Sequence, residues 1–274
     1  MPDTGSWPPV SRESAPLFTH GPLARRAEDL MPVLRLIAGP DGVDPLCGPV
    51  ELPDPVALRG LPVLLSDEAW PIATDAELLR AREQAAGALA AAGATVRHVP
   101  MRGLRRAVDR YITTLARSAD SAAWEVLVAA GATRPGWRAM LRHGGPHTVA
   151  TRILLVAERV ERAVPQRVAR QIVASAQALA AELADTIGDG VLLHPPLATV
   201  APRHGRTVGR PWWLGHVVPF NLAGLPVTQV PLGLGRAGLP LGVQVVAGRG
   251  RDHVTIAVAL ELERVFGGWV PPGR

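Results

Sequence analysis

No lysine occurs anywhere in these 274 residues, so all 29 basic side chains are arginine. Arginine does not shed its proton near neutral pH, so no basic side chain of this type is available as a general base. Cysteine is almost as scarce. Cys47 stands alone, which excludes an internal disulfide and suits a cytoplasmic protein. It sits amid Pro and Gly with no histidine nearby in sequence and reads as an incidental thiol. No apolar run approaches the roughly 20 residues that cross a bilayer, so no membrane partner is expected. The N-terminus is rich in Pro and Asp and lacks the basic-then-apolar pattern of a secretory signal. Aromatic residues make up only 4% of the chain. The serines (Ser6, Ser11, Ser14, Ser66, Ser118, Ser121 and Ser175) never sit side by side.

What is present describes a globular protein. Hydrophobic residues reach 47% and charged residues 19%, enough apolar material for a substantial core. The length suits one large domain or two small ones. The net charge of +5 is spread among carboxylates, as in Arg25-Arg26 beside Glu28-Asp29. Only Arg102, Arg105, Arg106 and Arg110 cluster, and on a helix that pattern is a solvated face, so no nucleic-acid partner is expected. There is no internal repeat.

Taken in order, residues 1–20 form a surface lead-in. A helix is expected from Pro22, where a first-turn proline is tolerated, with Leu23, Ala27, Leu30, Leu34 and Ile37 at helical spacing and Gly39 as a stop. A loop from Pro40 to Pro55 precedes a short buried strand, Leu61–Leu65. Thr74 with Glu77 makes a capping-box pattern ahead of an alanine-rich helix that ends at Gly93, and Ala94–Val99 reads as the next strand. Strand, helix and strand together predict a parallel βαβ unit.

From Met101 to Asp185 the pattern is helical, with breaks expected at Arg134-Pro135-Gly136 and His143-Gly144-Gly145-Pro146. Tyr111, Leu115, Trp124, Val126 and Leu127 mark one apolar surface. Ile153, Leu154, Val156, Val160, Ile172, Leu179 and Leu183 mark another. A strand at Gly190–Leu193 follows, and then an irregular stretch from Pro195 to Gly209. Two apolar strands, Val227–Val230 and Leu241–Val246, flank the glycine-rich Gly233–Gly238 and read as adjacent strands or a hairpin. Asp252 is expected to cap a final helix whose Ile256, Ala259, Leu260 and Leu262–Val265 pack on the sheet.

Several residues invite a chemical reading. Gly233-Leu234-Gly235-Arg236-Ala237-Gly238 matches the dinucleotide fingerprint, but a strand follows where that motif requires a helix, so it reads as a turn and no nucleotide cofactor is expected. His143 and His147 have a zinc-compatible spacing, but the intervening Gly-Gly-Pro disfavours a helix there, and no metal is expected. Trp212, Trp213 and Phe220 gather before the hairpin; they are either core packing or an apolar wall for a substrate's acyl or aryl group. Asn221 beside them either orients a backbone loop or contacts substrate.

The wording F-N-x-x-G-L-P-V-T-Q-x-P-L-G from Phe220, followed by G-L-P-L-G-V-Q-V-V-A-G from Gly238, closely resembles the C-terminal region of the amidase signature family, in its fatty-acid amide hydrolase-like branch. Gly21-Pro22-Leu23-Ala24-Arg25, Leu193-His194-Pro195-Pro196 through Pro202, and Phe266-Gly267-Gly268-Trp269 agree in order. The resemblance is most specific in the last third and looser between residues 50 and 190. It implies an α/β fold, a mixed β-sheet flanked by helices, with residues 1–274 as the C-terminal portion of one domain and residues 101–186 as a helical insertion over the substrate passage. It also implies hydrolysis of amides by a Ser-Ser-Lys triad in a glycine- and serine-rich loop. This sequence contains neither that loop nor any lysine. The expectation is therefore a C-terminal portion of an amidase, inactive by itself, partnered by an N-terminal amidase half or by a second copy. A non-catalytic binding protein that keeps an apolar cleft, or a non-functional truncated reading frame, are the alternatives. Of the residues here, the resemblance points to Trp212, Trp213, Phe220 and Asn221 for substrate binding and to none for catalysis.

Overall fold

A five-stranded mixed sheet in the order β2-β1-β3-β5-β4 runs through the computed structural model of the chain. The structure describes residues 1–3, 17, 19–66, 73–101, 103–118, 125, 128, 131, 148–208 and 210–271. The strands are β1 (Pro62–Ser66), β2 (Thr95–Val99), β3 (Val191–His194), β4 (Val227–Leu234) and β5 (Pro240–Ala247). β1 pairs in parallel with β2 and β3, and β5 pairs antiparallel with β3 and β4. The three inner strands are covered on both faces. That is why β1 and β3 read as unbroken apolar runs, with no alternating pattern to betray a solvated side.

The helices are α1 (Leu30–Ile37), α2 (Ala76–Ala91), α3 (Ala107–Ser118), α4 (Val149–Ala163), α5 (Gln166–Ile187), α6 (Val218–Ala223) and α7 (Asp252–Phe266). Strand residues at alternate positions serve opposite layers. Val63, Leu65, Val191, Leu193, Val243 and Val245 meet Ala81, Ala85 and Leu89 of α2 and Val254, Val258 and Leu262 of α7. Leu64, Leu192 and Val246 meet Leu179, Leu183 and Ile187 of α5 and Phe220 and Ala223 of α6. This is the expected sandwich, and β1-α2-β2 is the expected parallel unit.

Several local expectations are corrected. The first helix does not start at Pro22. Leu23 is fully exposed, and a single 3-10 turn, Ala27–Asp29, leads into α1. The cause is a contact from far along the chain: Glu263 of α7 accepts the Ala27 N–H at 2.7 Å and pairs with Arg26 at 2.9 Å. The cap of α2 is Asp75, whose carboxylate accepts the Glu77 N–H at 2.8 Å, so Thr74 is not the capping residue.

The long helical stretch breaks between α4 and α5 at Val164-Pro165, because Pro165 lacks the N–H a continuing helix needs. The breaks expected at residues 134–136 and 143–146 lie outside the described residues. So do Trp124, Val126, Leu127, His143 and His147. Within α4, Ile153, Val156 and Val160 are exposed and Leu155 is buried. Asp252 is the first residue of α7 and makes no side-chain cap; Arg251 precedes it and pairs with Asp189 at 2.6 Å. Val265, expected against the sheet, is exposed. The expected turn is shorter than Gly233–Gly238: β4 runs to Leu234 and residues 235–239 connect it to β5, with Gly233 at the strand end and Gly238 in the turn at positive φ where a side chain would be strained.

Candidate functional site

The register of the sheet assembles a row that no local motif announces. Leu65 lies opposite Leu193, so Ser66 and His194 are the next residues along two adjacent parallel strands. His194 faces Gln244 across the antiparallel step to β5, and Gln244 faces Gln229 on β4. These four side chains share the face that carries Leu64, Leu192 and Val246. Ser66, His194 and Gln244 are buried, whereas Gln229 at the sheet edge is exposed. The row lies at the carboxyl ends of the parallel strands β1 and β3, the end at which open α/β sheets present their ligand sites.

Hydrogen bonds tie the surrounding loops to this row. Gln244 Nε2 donates to the Pro195 carbonyl at 3.0 Å and to the His216 carbonyl at 2.9 Å. One amide group thus anchors both the loop leaving β3 and the 3-10 turn Pro211–His216. Arg82 reaches from α2 and donates through Nη1 to the Ser66 carbonyl at 2.9 Å, with Nη2 on Glu83. The Asp75 N–H donates to Ala198 O at 2.7 Å, fixing the same β3 loop against the start of α2.

The two imidazoles are neighbours, their planes tilted by 37°. The His194 and His216 rings lie 5.1 Å apart, and Phe220 meets His194 edge-on at 5.3 Å. Burial holds the His194 pKa well below the ordinary histidine value, with the His216 and Arg82 charges pushing the same way. Burial lowers His216 to about 4, opposed by a hydrogen bond with the Pro195 backbone. Both rings are therefore neutral at pH 7. The cluster can orient backbone and side-chain dipoles, and it carries no fixed negative charge.

The structure distributes the four sequence-derived candidates around this cluster. Trp212 and Trp213 ride on the 3-10 turn. Trp212 is 47% exposed, and the Arg210 guanidinium sits 5.3 Å from the Trp213 ring. Phe220 is fully buried and belongs to the core between α5 and the sheet. Asn221 Oδ1 is buried and has no hydrogen-bond partner among the described residues, a state that costs about 1–3 kcal/mol until a donor reaches it. A separate apolar cleft of about 410 Å³ lies between α3, α5 and Leu222 of α6. Ala176, Ala180 and Ala184 are among its lining residues, and Thr114, Gln177 and Arg249 are the polar ones.

Sequence reasoning assigned no role to His194, His216, Gln244, Ser66 or Arg82. A signal existed for two of them: His194 ends an apolar strand, and Gln244 interrupts Leu241–Val246 at a position whose neighbours are all apolar or glycine. Arg82 and His216 join only through tertiary contacts.

A protein-family model described as Amidase matches residues 6–256. The chain is 36% identical to fatty-acid amide hydrolase 2-B of Danio rerio over 266 residues, covering 92% of this chain and 49% of that protein. It is 32% identical to fatty-acid amide hydrolase 2 of Homo sapiens, covering 100% of this chain and 53% of that one. Among solved structures, a bacterial aryl acylamidase superposes with a TM-score of 0.66 at 21% identity, covering 94% of this chain and 56% of that chain. Native peptide amidase of Stenotrophomonas maltophilia superposes at 0.64 and 23%, covering 96% and 57%. The chain spans about half the length of the relatives it matches.

Proposed function

This chain belongs to the amidase family, and from that membership we propose that it forms the C-terminal portion of a serine-dependent amidase that hydrolyses the C–N bond of carboxylic amides, acyl or aryl amides among them. The observation that carries this reading is a family match running through residues 6–256 of a chain with no lysine and no two adjacent serines. A serine hydroxyl becomes a nucleophile only when a neighbouring base accepts its proton. In the Ser-Ser-Lys scheme that base is a lysine. Arginine cannot replace it, and the buried imidazoles at His194 and His216 hold their partners in a structural cluster. The reaction centre therefore comes from polypeptide outside these 274 residues, and the chain is inactive without it.

What this chain contributes is a binding wall. The turn carrying Trp212 and Trp213, held on Gln244 and backed by Phe220, would line the apolar part of the substrate, and Asn221 Oδ1 would accept a hydrogen bond. The names of the two amide hydrolase relatives favour a fatty-acyl amide. A serine-directed fluorophosphonate and an acyl amide tested on the purified chain should give no covalent adduct and no hydrolysis. An adduct on any of the seven serines overturns the reading.

The apolar cleft of about 410 Å³ favours a second reading, a binding protein without chemistry. Its volume lies within the range of roughly 300–1,000 Å³ usual for small-molecule sites. A fatty-acid amide that raises the melting temperature of the isolated chain supports this reading, and an unchanged melting temperature removes it.

A further inference from the structure

From Gly190 to Arg251 the chain contains no aspartate and no glutamate, yet it carries Arg203, Arg206, Arg210, Arg236, Arg249 and Arg251. All 24 acidic residues lie elsewhere, among the remaining arginines. Half of these cations are engaged. Arg251 pairs with Asp189 at 2.6 Å, Arg236 pairs with Glu77 at 3.3 Å, and Arg249 Nε donates to the Ala223 carbonyl at 2.8 Å. Arg203, Arg206 and Arg210 have no carboxylate partner among the described residues.

These last three share one short loop, and the loop is held in place. The Arg206 N–H donates to Arg203 O at 3.1 Å, the Val208 N–H to Gly205 O at 3.2 Å and the Arg210 N–H to Thr207 O at 3.1 Å, a run of tight turns. Gly205 supplies the positive φ of 78° within the first of them. The Gln244 amide pins the segment on both sides, at Pro195 ahead of the loop and at His216 behind it. The arginines therefore stand at the carboxyl end of β3, beside the polar row, on a segment that runs directly into the turn carrying Trp212 and Trp213. Arg203 and Arg206 are exposed, and Arg210 is half-buried against the Trp213 ring.

Like charges gathered on a pinned loop repel one another and cannot relieve this by moving apart. An anion is the counter-charge that fits. The carboxylates of neighbouring elements are placed for other tasks: Asp75 accepts the Glu77 N–H, Glu77 takes Arg236, and Asp109 rides on a helix start that also carries Arg106. The wall beside the loop narrows the choice of anion. Trp212 and Leu214 are exposed, so one half of a bound molecule meets apolar surface while the other meets guanidinium groups. An inorganic anion leaves the wall unused, and a neutral acyl amide leaves the cations unused. A carboxylate matches the planar fork of an arginine.

We propose that this site selects acyl amides whose amine half carries a carboxylate, N-acyl amino acids as a class, with Arg203, Arg206 and Arg210 receiving that carboxylate. The inference deepens the amidase reading given above and rests on it for the amide itself. The preference for charge is a separate observable.

Titrations of the 274-residue chain, followed by tryptophan fluorescence, compare N-dodecanoylglycine with N-dodecanoylethanolamine, in which a hydroxyl replaces the carboxylate. At about 0.05 M salt the glycine conjugate should bind on the order of 10-fold more tightly; at about 1 M salt, where the screening length is about 3 Å, the preference should shrink to about 2-fold or less. Arg203→Gln combined with Arg206→Gln should reduce the low-salt preference to about 3-fold or less. The same variant should keep the parent's affinity for the ethanolamide, which a misfolded one would not. Arg59→Gln, an exposed position just before β1 at the end of that strand away from Ser66, should leave the preference intact.

Equal affinity for the two amides overturns the proposal, as does a preference that survives the Arg203 and Arg206 changes. Dodecanoate bound as tightly as dodecanoylglycine overturns it too, because the cations then hold the acid product. Absence of binding by either amide removes the proposal and the binding wall together. A fluorophosphonate adduct on a chain that keeps the preference leaves the proposal standing and overturns only the reading of an absent reaction centre.

Discussion

Gln244→Leu removes one donor from two buried carbonyls and changes little else. The amide spans Pro195 O at 3.0 Å and His216 O at 2.9 Å from a side chain that is 4% exposed. Leucine is close in volume, so the cavity contribution is small. What remains is the desolvation of two acceptors left without a donor, about 1–3 kcal/mol each, or about 2–6 kcal/mol together. For a chain of this size each kcal/mol lowers the melting temperature by roughly 2–4 °C, so the variant should melt roughly 4–24 °C below the parent.

The effect is also local. Arg203 and Arg206 are exposed on the segment between the two anchored carbonyls, so trypsin should cut there faster in the variant than in the parent. Gln229→Leu, its exposed neighbour in the same row, is the control and should stay within about 0.5 kcal/mol. A Gln244→Leu protein that melts within 2 °C of the parent (about 1 kcal/mol or less), with unchanged cleavage, would refute the claim that this amide holds the loop.

Further tests follow from the same packing. The folded state keeps His216 neutral down to about pH 4, whereas the unfolded chain titrates near 6.5, so the unfolded state binds more protons between those values. Stability is therefore full above about pH 6.5 and falls as pH drops towards 4, by about 3 kcal/mol from His216, with His194 adding in the same direction. Urea midpoints at pH 7.5 and 5 check this, and His216→Gln should flatten the slope. Gly190→Ala places a Cβ 2.5 Å from the Pro62 carbonyl oxygen where β1 meets β3. It should cost about 2 kcal/mol or more, read as a lowered denaturation midpoint. Gly87→Ala, inside α2 with nothing within 4 Å of the new methyl, should instead stabilise by about 1 kcal/mol.

The inner strands could be read from sequence because burial on both faces leaves an unmistakable apolar run, as in Val191–Leu193 and Val243–Val246. The turn between β4 and β5 was equally plain, since the following strand rules out the helix that a phosphate site needs. The start of α1 was not legible: a carboxylate 236 residues away sets it through Ala27. The break at Pro165 was available in principle from the missing N–H and was passed over in favour of glycine-rich stretches. Of the candidate site, the aromatic cluster could be found locally, but its division into exposed Trp212 and sealed Phe220 could not. The polar row exists only once register is known, because Ser66, His194, Gln244 and Gln229 come from four separate segments.

The grip of Glu263 on Arg26 and Ala27 has a consequence for synthesis. A ribosome delivers residue 27 long before residue 263, so the nascent segment must wait, unlatched, for almost the whole translation of the chain. A stop codon placed just ahead of that glutamate would release a product in which Arg26 and the Ala27 amide lose that carboxylate, leaving α1 held by the apolar contact of Met31 and Leu34 with Ile256.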